Sequence, residues 1–219
     1  RVTGHVVYRA VIPKEEFPEN LAWNAASLWA GPKCHLVHYP LRGGEQYNVV
    51  VTFHSRQQEE WGVTDGSKEE VQSYFQGIAD KPRQLIDLPK SWRRWATADK
   101  EPIETWSFGR ATILGDAAHP TTQYMAQGAC MALEDAVTLG EAMRVCGNDF
   151  VKAFDLYQRS RAARTARIVL SGREMGRIYH AAGIERLVRN DLWKGRTQEQ
   201  FYDAMQWLYG WNPSKCLAE

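Results

Sequence analysis

The residues with the clearest chemical potential lie between positions 109 and 136. Gly109-Arg110-Ala111-Thr112-Ile113-Leu114-Gly115-Asp116-Ala117-Ala118-His119-Pro120 is followed by Gln127-Gly128-Ala129 and then by Ala132-Leu133-Glu134-Asp135-Ala136. The order predicts a short, buried apolar strand, a turn with one acidic side chain at its tip, a loop, and the N-terminus of a small-residue helix. A carboxylate at such a tip, here Asp116, can accept hydrogen bonds from the hydroxyls of a sugar or sugar alcohol. Free backbone N–H groups at Gly128 and Ala129 can bind an anion or a carbonyl oxygen. Singly these pieces are weak, since Gly-Asp turns are common and an Ala-rich helix more often serves a core. In combination they point to a site for a phosphosugar ligand.

The elements that must position this site read as α+β. Upstream, residues 5–12, 34–41 and 47–53 are short runs rich in β-branched and aromatic residues, and the last two are joined by Arg42-Gly43-Gly44-Glu45-Gln46, which predicts an antiparallel hairpin. Ser67 caps a predicted helix with Glu69 and Glu70 near its positive end and Val71, Tyr74, Phe75 and Ile78 at helical spacing. A second short helix is predicted over 82–88, and Trp92, Trp95 and Trp106 frame a stretch that is irregular or strand. Downstream the chain is helical. Residues 129–145 are apolar on almost every side except at Glu134, Asp135 and Glu141, which predicts a buried helix. Residues 149–180 form a long amphipathic stretch whose arginines (159, 161, 164, 167, 173 and 177) are expected to be solvated or paired with acids, and shorter helices are predicted over 184–193 and 198–209.

Composition excludes several classes. The chain has 219 residues, 44% hydrophobic and 24% charged, with a net charge of +1, so nothing in its charge points to nucleic acid or a membrane surface. Cys34, Cys130, Cys146 and Cys216 form no CxxC pair, which argues against a metal knuckle or a disulfide scaffold; no metal is expected, and a reducing cytoplasm is the expected location. No charged-then-apolar leader and no apolar run of spanning length occurs. Nine Trp and nine Tyr suit either an aromatic core or a pocket for a flat ligand. A strand-like segment beginning almost at Arg1 reads as a fragment or a processed chain.

Gly-Asp-Ala-Ala-His-Pro with Gln-Gly-Ala and Glu-Asp-Ala at these offsets resembles the second flavin-binding motif of the class A flavoprotein monooxygenases, the aromatic-ring hydroxylases that include para-hydroxybenzoate hydroxylase and salicylate hydroxylase. Tyr8-Arg9 and Tyr39-Pro40-Leu41-Arg42-Gly43-Gly44 extend the likeness to the sheet domain of the salicylate hydroxylase branch. The usual family pattern has Pro where Gln123 stands and Gly where Ala126 stands. Gln123-Tyr124, together with the segment from Gly31 to Gly44 that contains His35 and Tyr39, is instead similar to the 3-hydroxybenzoate 6-hydroxylases, which convert 3-hydroxybenzoate to 2,5-dihydroxybenzoate (gentisate).

The resemblance implies FAD as cofactor, held in part by Gly115 and Asp116 on the ribitol side and by the amides of Gly128 and Ala129 at the isoalloxazine ring, with NADH or NADPH as a transient electron donor. It implies an antiparallel substrate-domain sheet at 1–104, part of an FAD-binding α/β domain at 105–147 and a helical region at 148–219 able to support a homodimer. Substrates would be a small aromatic acid and O2. Electrophilic hydroxylation needs an electron-rich ring, and withdrawing the phenol proton supplies that density ortho and para to the oxygen. His35 is the candidate base, because an imidazole titrating near about 6.5 can draw the proton at neutral pH. Gln123 is the candidate for orienting the ring or the oxidant, and Tyr39 the candidate substrate-binding residue. On one strand His35, Val37 and Tyr39 share a face while His38 points away. The other reading of His35 is a hydrogen-bonded core histidine. Arg9 and Arg42 are available to a substrate carboxylate, although an arginine beside a Gly-Gly turn serves the hairpin as readily.

The family opens with a βαβ unit bearing Gly-x-Gly-x-x-Gly, and no such pattern occurs in this sequence. The chain is therefore expected to carry part of a cofactor site and to be inactive alone, with the N-terminal FAD-binding segment supplied separately. Two further readings stand beside the leading one: a salicylate 1-hydroxylase-like enzyme that releases CO2, and a non-catalytic binding fragment.

Overall fold

The computed structural model describes residues 1–217, which form two compact units. One comprises residues 2–98 and 177–190; the other comprises residue 1 with 99–176 and the residues from 191 onward.

The first unit is built on a six-stranded antiparallel sheet of order β2-β3-β4-β1-β6-β5, in which β1 is Val2–Pro13, β2 Ser27–Gly31, β3 Cys34–Leu41, β4 Gln46–His54, β5 Gly62–Gly66 and β6 Trp92–Ala98. Its register separates two faces. Val6 opposes Phe53 and Tyr8 opposes Val51, and these residues with Ala10, Ile12 and Leu36 form a core with α1 (Lys68–Tyr74) and α2 (Asp80–Asp87) through Val71, Phe75, Leu85 and Ile86. The opposite face carries His5, Val7, Thr52, His54, His35 and Tyr39, since His35 pairs with Thr52, which in turn pairs with Val7. Ser67 caps α1 as expected, accepting from Glu70 N–H. The strands at 27–31 and 62–66 were not legible in the sequence. Both lie at the edges of the sheet and are ordered by pairing with β3 and β6 rather than by a hydrophobic pattern of their own.

The second unit holds β7 (Ser107–Phe108), β8 (Ala111–Thr112), α3 (Gly128–Cys146), α4 (Phe150–Tyr179) and, near the end of the chain, α6 (Gln198–Tyr209). Between them, α5 (Gly183–Trp193) contributes to both units. Two expectations require correction. The strand expected to run from Arg110 to Asp116 pairs only at Ala111–Thr112, and Leu114 is 41% exposed, because among the described residues no strand lies beside Ile113 and Leu114. The helix expected to be buried all round is α3, yet Leu133, Val137 and Val145 are exposed. Its buried stripe is Met131, Glu134, Asp135, Thr138 and Ala142, so the acids face inward.

Those acids meet Arg161 of α4, whose side chain is entirely buried. Its Nε donates to Asp135 Oδ1 at 2.7 Å, Nη1 to Glu134 Oε2 at 2.6 Å and Nη2 to the Met131 carbonyl at 3.3 Å. Arg164 grips both Glu134 oxygens at 2.7 Å and donates to the Trp207 and Leu208 carbonyls at the end of α6 at 2.9 Å. The arginine-rich stripe of α4 is thus largely paired with acids: Arg159 meets Asp155, and Arg173 meets Asp99 and Glu101. Among the described residues no helix is long and apolar enough to cross a membrane. Removing one member of a buried pair strands the other charge, so Asp135→Ala is expected to lower unfolding stability by about 3–5 kcal/mol in urea titrations. A loss within about 1 kcal/mol, as for a surface pair, would contradict the structural weight given to this contact.

Candidate active site

The Gly-Asp turn is held from within. Gly115 adopts φ 58°, a left-handed conformation that favours glycine, and its N–H donates to Asp135 Oδ2 at 2.9 Å. His119 Nε2 donates to the same oxygen at 2.5 Å. Burial raises the Asp135 carboxyl, but the bonds from His119, Gly115 N–H and Arg161 outweigh it and hold the group below the usual range, so it is a carboxylate. With the turn fixed through Gly115, the neighbouring Asp116 is exposed and its carboxylate has no side-chain partner among the described residues. A Cβ on Gly115 would lie 3.5 Å from Ala132 Cβ, which places the turn against the first turns of α3. The α3 N-terminus is open: Gln127 makes no side-chain cap, and Met131 N–H is the first to close onto Gln127 carbonyl, at 2.8 Å. Gly128, Ala129 and Cys130 therefore present backbone donors at the positive end of a long helix, with Ala129 and Cys130 exposed.

Between the turn and the helix, residues 121–127 carry Gln123 in a 3-10 turn, and Ala126 takes φ 52° where the family pattern has glycine. This loop packs on two glycines of α4. A Cβ on Gly176 would fall 2.8 Å from the Tyr124 ring, and one on Gly172 would fall 3.3 Å from Thr122 Oγ1. The helix backbone thus lets the loop approach closely and sets the height of Gln123.

His35 and Tyr39 lie in the sheet unit, whereas Gly115, Asp116, Gln123, Gly128 and Ala129 lie in the other. His35 is buried, and its Nδ1 is 2.8 Å from His180 Nε2. Tyr179 packs edge-on to the His35 ring at 5.4 Å, and His5 lies 5.5 Å from the His180 ring. His38 faces the other side of β3, where Trp29 Nε1 donates to its Nδ1 at 3.2 Å. Tyr39 is half-buried and pairs with Asn48 across the β3–β4 ladder. Of the two arginines considered for a carboxylate, Arg9 stacks over Trp95 at 5.7 Å and Arg42 is exposed beside the hairpin turn.

Burial, reinforced by the other imidazoles, pushes His35 down to about 3 and His180 down to about 2. The expectation of an imidazole titrating near neutrality is corrected accordingly: His35 is a neutral acceptor at pH 7 and a weak base, because the protein interior disfavours its cation. Two residues that shape the site went unread in the sequence. Asp135 was visible in the motif but not its grip on the turn, and His180 carries no local signal because its partner lies 145 positions away.

The depressed histidines have a measurable consequence. The unfolded chain takes up protons from about pH 6.5 downward while the folded chain does not, so stability present above that pH is lost as pH falls toward 3, at about 1.4 kcal/mol per unit per histidine. Urea unfolding between pH 7 and 5 is expected to show this loss, and the His35→Gln/His180→Gln variant is expected to show a shallower one. Equal slopes would contradict burial of neutral imidazoles.

Over all 219 residues the chain is 81% identical to 3-hydroxybenzoate 6-hydroxylase of Polaromonas naphthalenivorans (strain CJ2) and 81% identical to 3-hydroxybenzoate 6-hydroxylase 2 of Aquipseudomonas alcaligenes. The chain spans 55% of the first protein and 68% of the second. Its fold matches a salicylate hydroxylase solved as a substrate complex, with a TM-score of 0.83 over 98% of this chain and 56% of that one; at 22% identity the likeness speaks for the fold alone. The family model described as the FAD binding domain matches residues 10–171, a span that takes in most of the sheet, the Gly115-Asp116 turn, α3 and most of α4. The chain belongs to the FAD-binding domain family.

Proposed function

We propose that this chain serves an FAD-dependent hydroxylase that converts 3-hydroxybenzoate, O2, NAD(P)H and a proton to 2,5-dihydroxybenzoate, water and NAD(P)+. The carrying observation is 81% identity along the whole chain to two proteins bearing the name 3-hydroxybenzoate 6-hydroxylase. A salicylate 1-hydroxylase-like activity has less support, since the solved salicylate hydroxylase is related at 22% identity.

The residues present fit FAD. An exposed carboxylate on a rigid turn suits the hydroxyls of a ribitol chain, and the open α3 N-terminus suits an electron-rich ring edge, where its dipole favours negative charge. Gly115 allows the turn, Asp116 would hold the ribitol, and the Gly128 and Ala129 amides would hold the isoalloxazine. Bound FAD supplies the electron transfer and oxygen activation. The exposed apolar side of α3, with Leu133 69% exposed, supports further polypeptide packing there in the working protein.

For the substrate, His35 accepts the proton or hydrogen bond of the 3-hydroxyl. This raises electron density at the para carbon, C6, where the new oxygen enters. Gln123 orients the ring and Tyr39 binds the substrate. A weak base suits this part: it polarises the hydroxyl without becoming a buried cation. In the flavin-loaded protein, Asp116→Ala is expected to lower FAD occupancy at least several-fold as read from the visible spectrum, and undiminished flavin content would remove Asp116 from the site. His35→Ala is expected to slow hydroxylation and divert reducing equivalents to hydrogen peroxide; full coupling of NAD(P)H oxidation to product in that variant would exclude His35 as the base.

A further inference from the structure

Of the chain's six histidines, four meet on one face of the sheet. Three come from neighbouring strands: His5 on β1, His54 on β4 and His35 on β3. The fourth, His180, comes from residues 177–190, the stretch that ends α4, opens α5 and belongs to the same compact unit as the sheet. His5 and His54 are register partners with ring centroids 5.0 Å apart, and the His180 ring lies 5.5 Å from His5 and 5.0 Å from His35. The segment thus joins the sheet along a seam of imidazoles. A backbone bond from Lys33 N–H to the His180 carbonyl, at 2.9 Å, and edge-on packing of Tyr179 against His35, at 5.4 Å, accompany it.

At its centre His35 Nδ1 stands 2.8 Å from His180 Nε2. That distance fits one proton between two nitrogens. When both rings are protonated, every ring nitrogen carries hydrogen, two N–H groups point at one another, and the contact cannot persist. We infer that the seam is an acid-operated latch: protonation of both His35 and His180 releases residues 177–190 from the sheet while the sheet itself stays folded. The core on the opposite face, where Val6, Tyr8, Val51 and Phe53 pack with Val71, Phe75, Leu85 and Ile86, contains none of the four rings.

Burial, and then His5, lower His35 to about 3; burial, and then His35, His5 and His54, lower His180 to about 2. Both rings are therefore uncharged in the closed form, whereas released rings take up protons from about pH 6.5 downward. Closure is fully favoured above that pH and weakens as pH falls toward 3, by about ten-fold per pH unit for each ring. The other titratable and charged groups on these elements are Lys33 and Cys34 of β3 and its preceding turn, Tyr179 and Arg177 of α4, and Glu185, Arg186 and Arg189 of α5. Burial pushes the Cys34 thiol up to about 11, Arg177 lies 3.6 Å from Glu185, and Arg189 Nη1 donates to the Ile178 and Tyr179 carbonyls at 3.2 and 3.1 Å. With His35 as the base, the released form is inactive. That consequence alone rests on the proposed function.

Backbone hydrogen exchange of the flavin-loaded protein, resolved by peptide and corrected for the intrinsic pH dependence of exchange, reads the release whatever the protein hydroxylates. From pH 6 to pH 5 the opening constant over residues 177–190 and at the Lys33 amide is expected to rise on the order of 50-fold, and that over residues 6–8 and 49–53 less than about three-fold. His180→Gln removes one of the two titrating rings and is expected to bring the first rise below about ten-fold. A wild-type rise already below about ten-fold, a parallel rise in the sheet peptides, or an undiminished rise in His180→Gln would overturn the inference. Should that variant fail to fold, the wild-type profile alone decides.

Discussion

The buried contact between Asp135 and Arg161 is the constraint on which the cofactor side of the molecule depends. One carboxylate, fully enclosed, accepts from the Gly115 amide, the His119 ring and the Arg161 guanidinium. It therefore joins α3 to α4 and fixes the left-handed turn whose next residue is Asp116. A buried charge is tolerated only when its lone pairs are satisfied, so the three donors are needed together, and satisfying them sets the turn. Arg164 extends the arrangement through Glu134 to the end of α6. The exposed acid at the turn tip is thus held in place by a second, hidden acid.

Legibility followed the range of the forces involved. The strands at 5–12, 34–41 and 47–53 and the helix capped by Ser67 were readable because alternation, helical spacing and caps are local. The edge strands β2 and β5 were not, since their order comes from pairing with a neighbour. Hydropathy misjudged α3 for a related reason: its apolar side is exposed at Leu133 and Val137, while Glu134 and Asp135 turn inward to meet arginines more than 25 positions away. The motif around Asp116 was visible as a string of residues, but the grip of Asp135 on Gly115 was not. Alternation on β3 did place His35 and His38 on opposite faces; nothing in it foretold that burial would make His35 so weak a base.

That weakness suits the proposed chemistry. A strongly basic buried imidazole would be cationic before substrate arrived and could not accept a proton, whereas a neutral ring can accept a hydrogen bond. In the other unit Asp135 accepts from Gly115 N–H, and the next residue, Asp116, is exposed at the turn tip.

Hydroxylation at the carbon para to the phenol oxygen is distinguished from attack at either ortho carbon by its product. The most direct measurement is chromatographic identification of the product formed by the flavin-loaded protein from 3-hydroxybenzoate, NAD(P)H and O2. 2,5-Dihydroxybenzoate is expected in proportion to the O2 consumed; formation of 2,3- or 3,4-dihydroxybenzoate, or oxidation of NAD(P)H without any hydroxylated product, would contradict para hydroxylation.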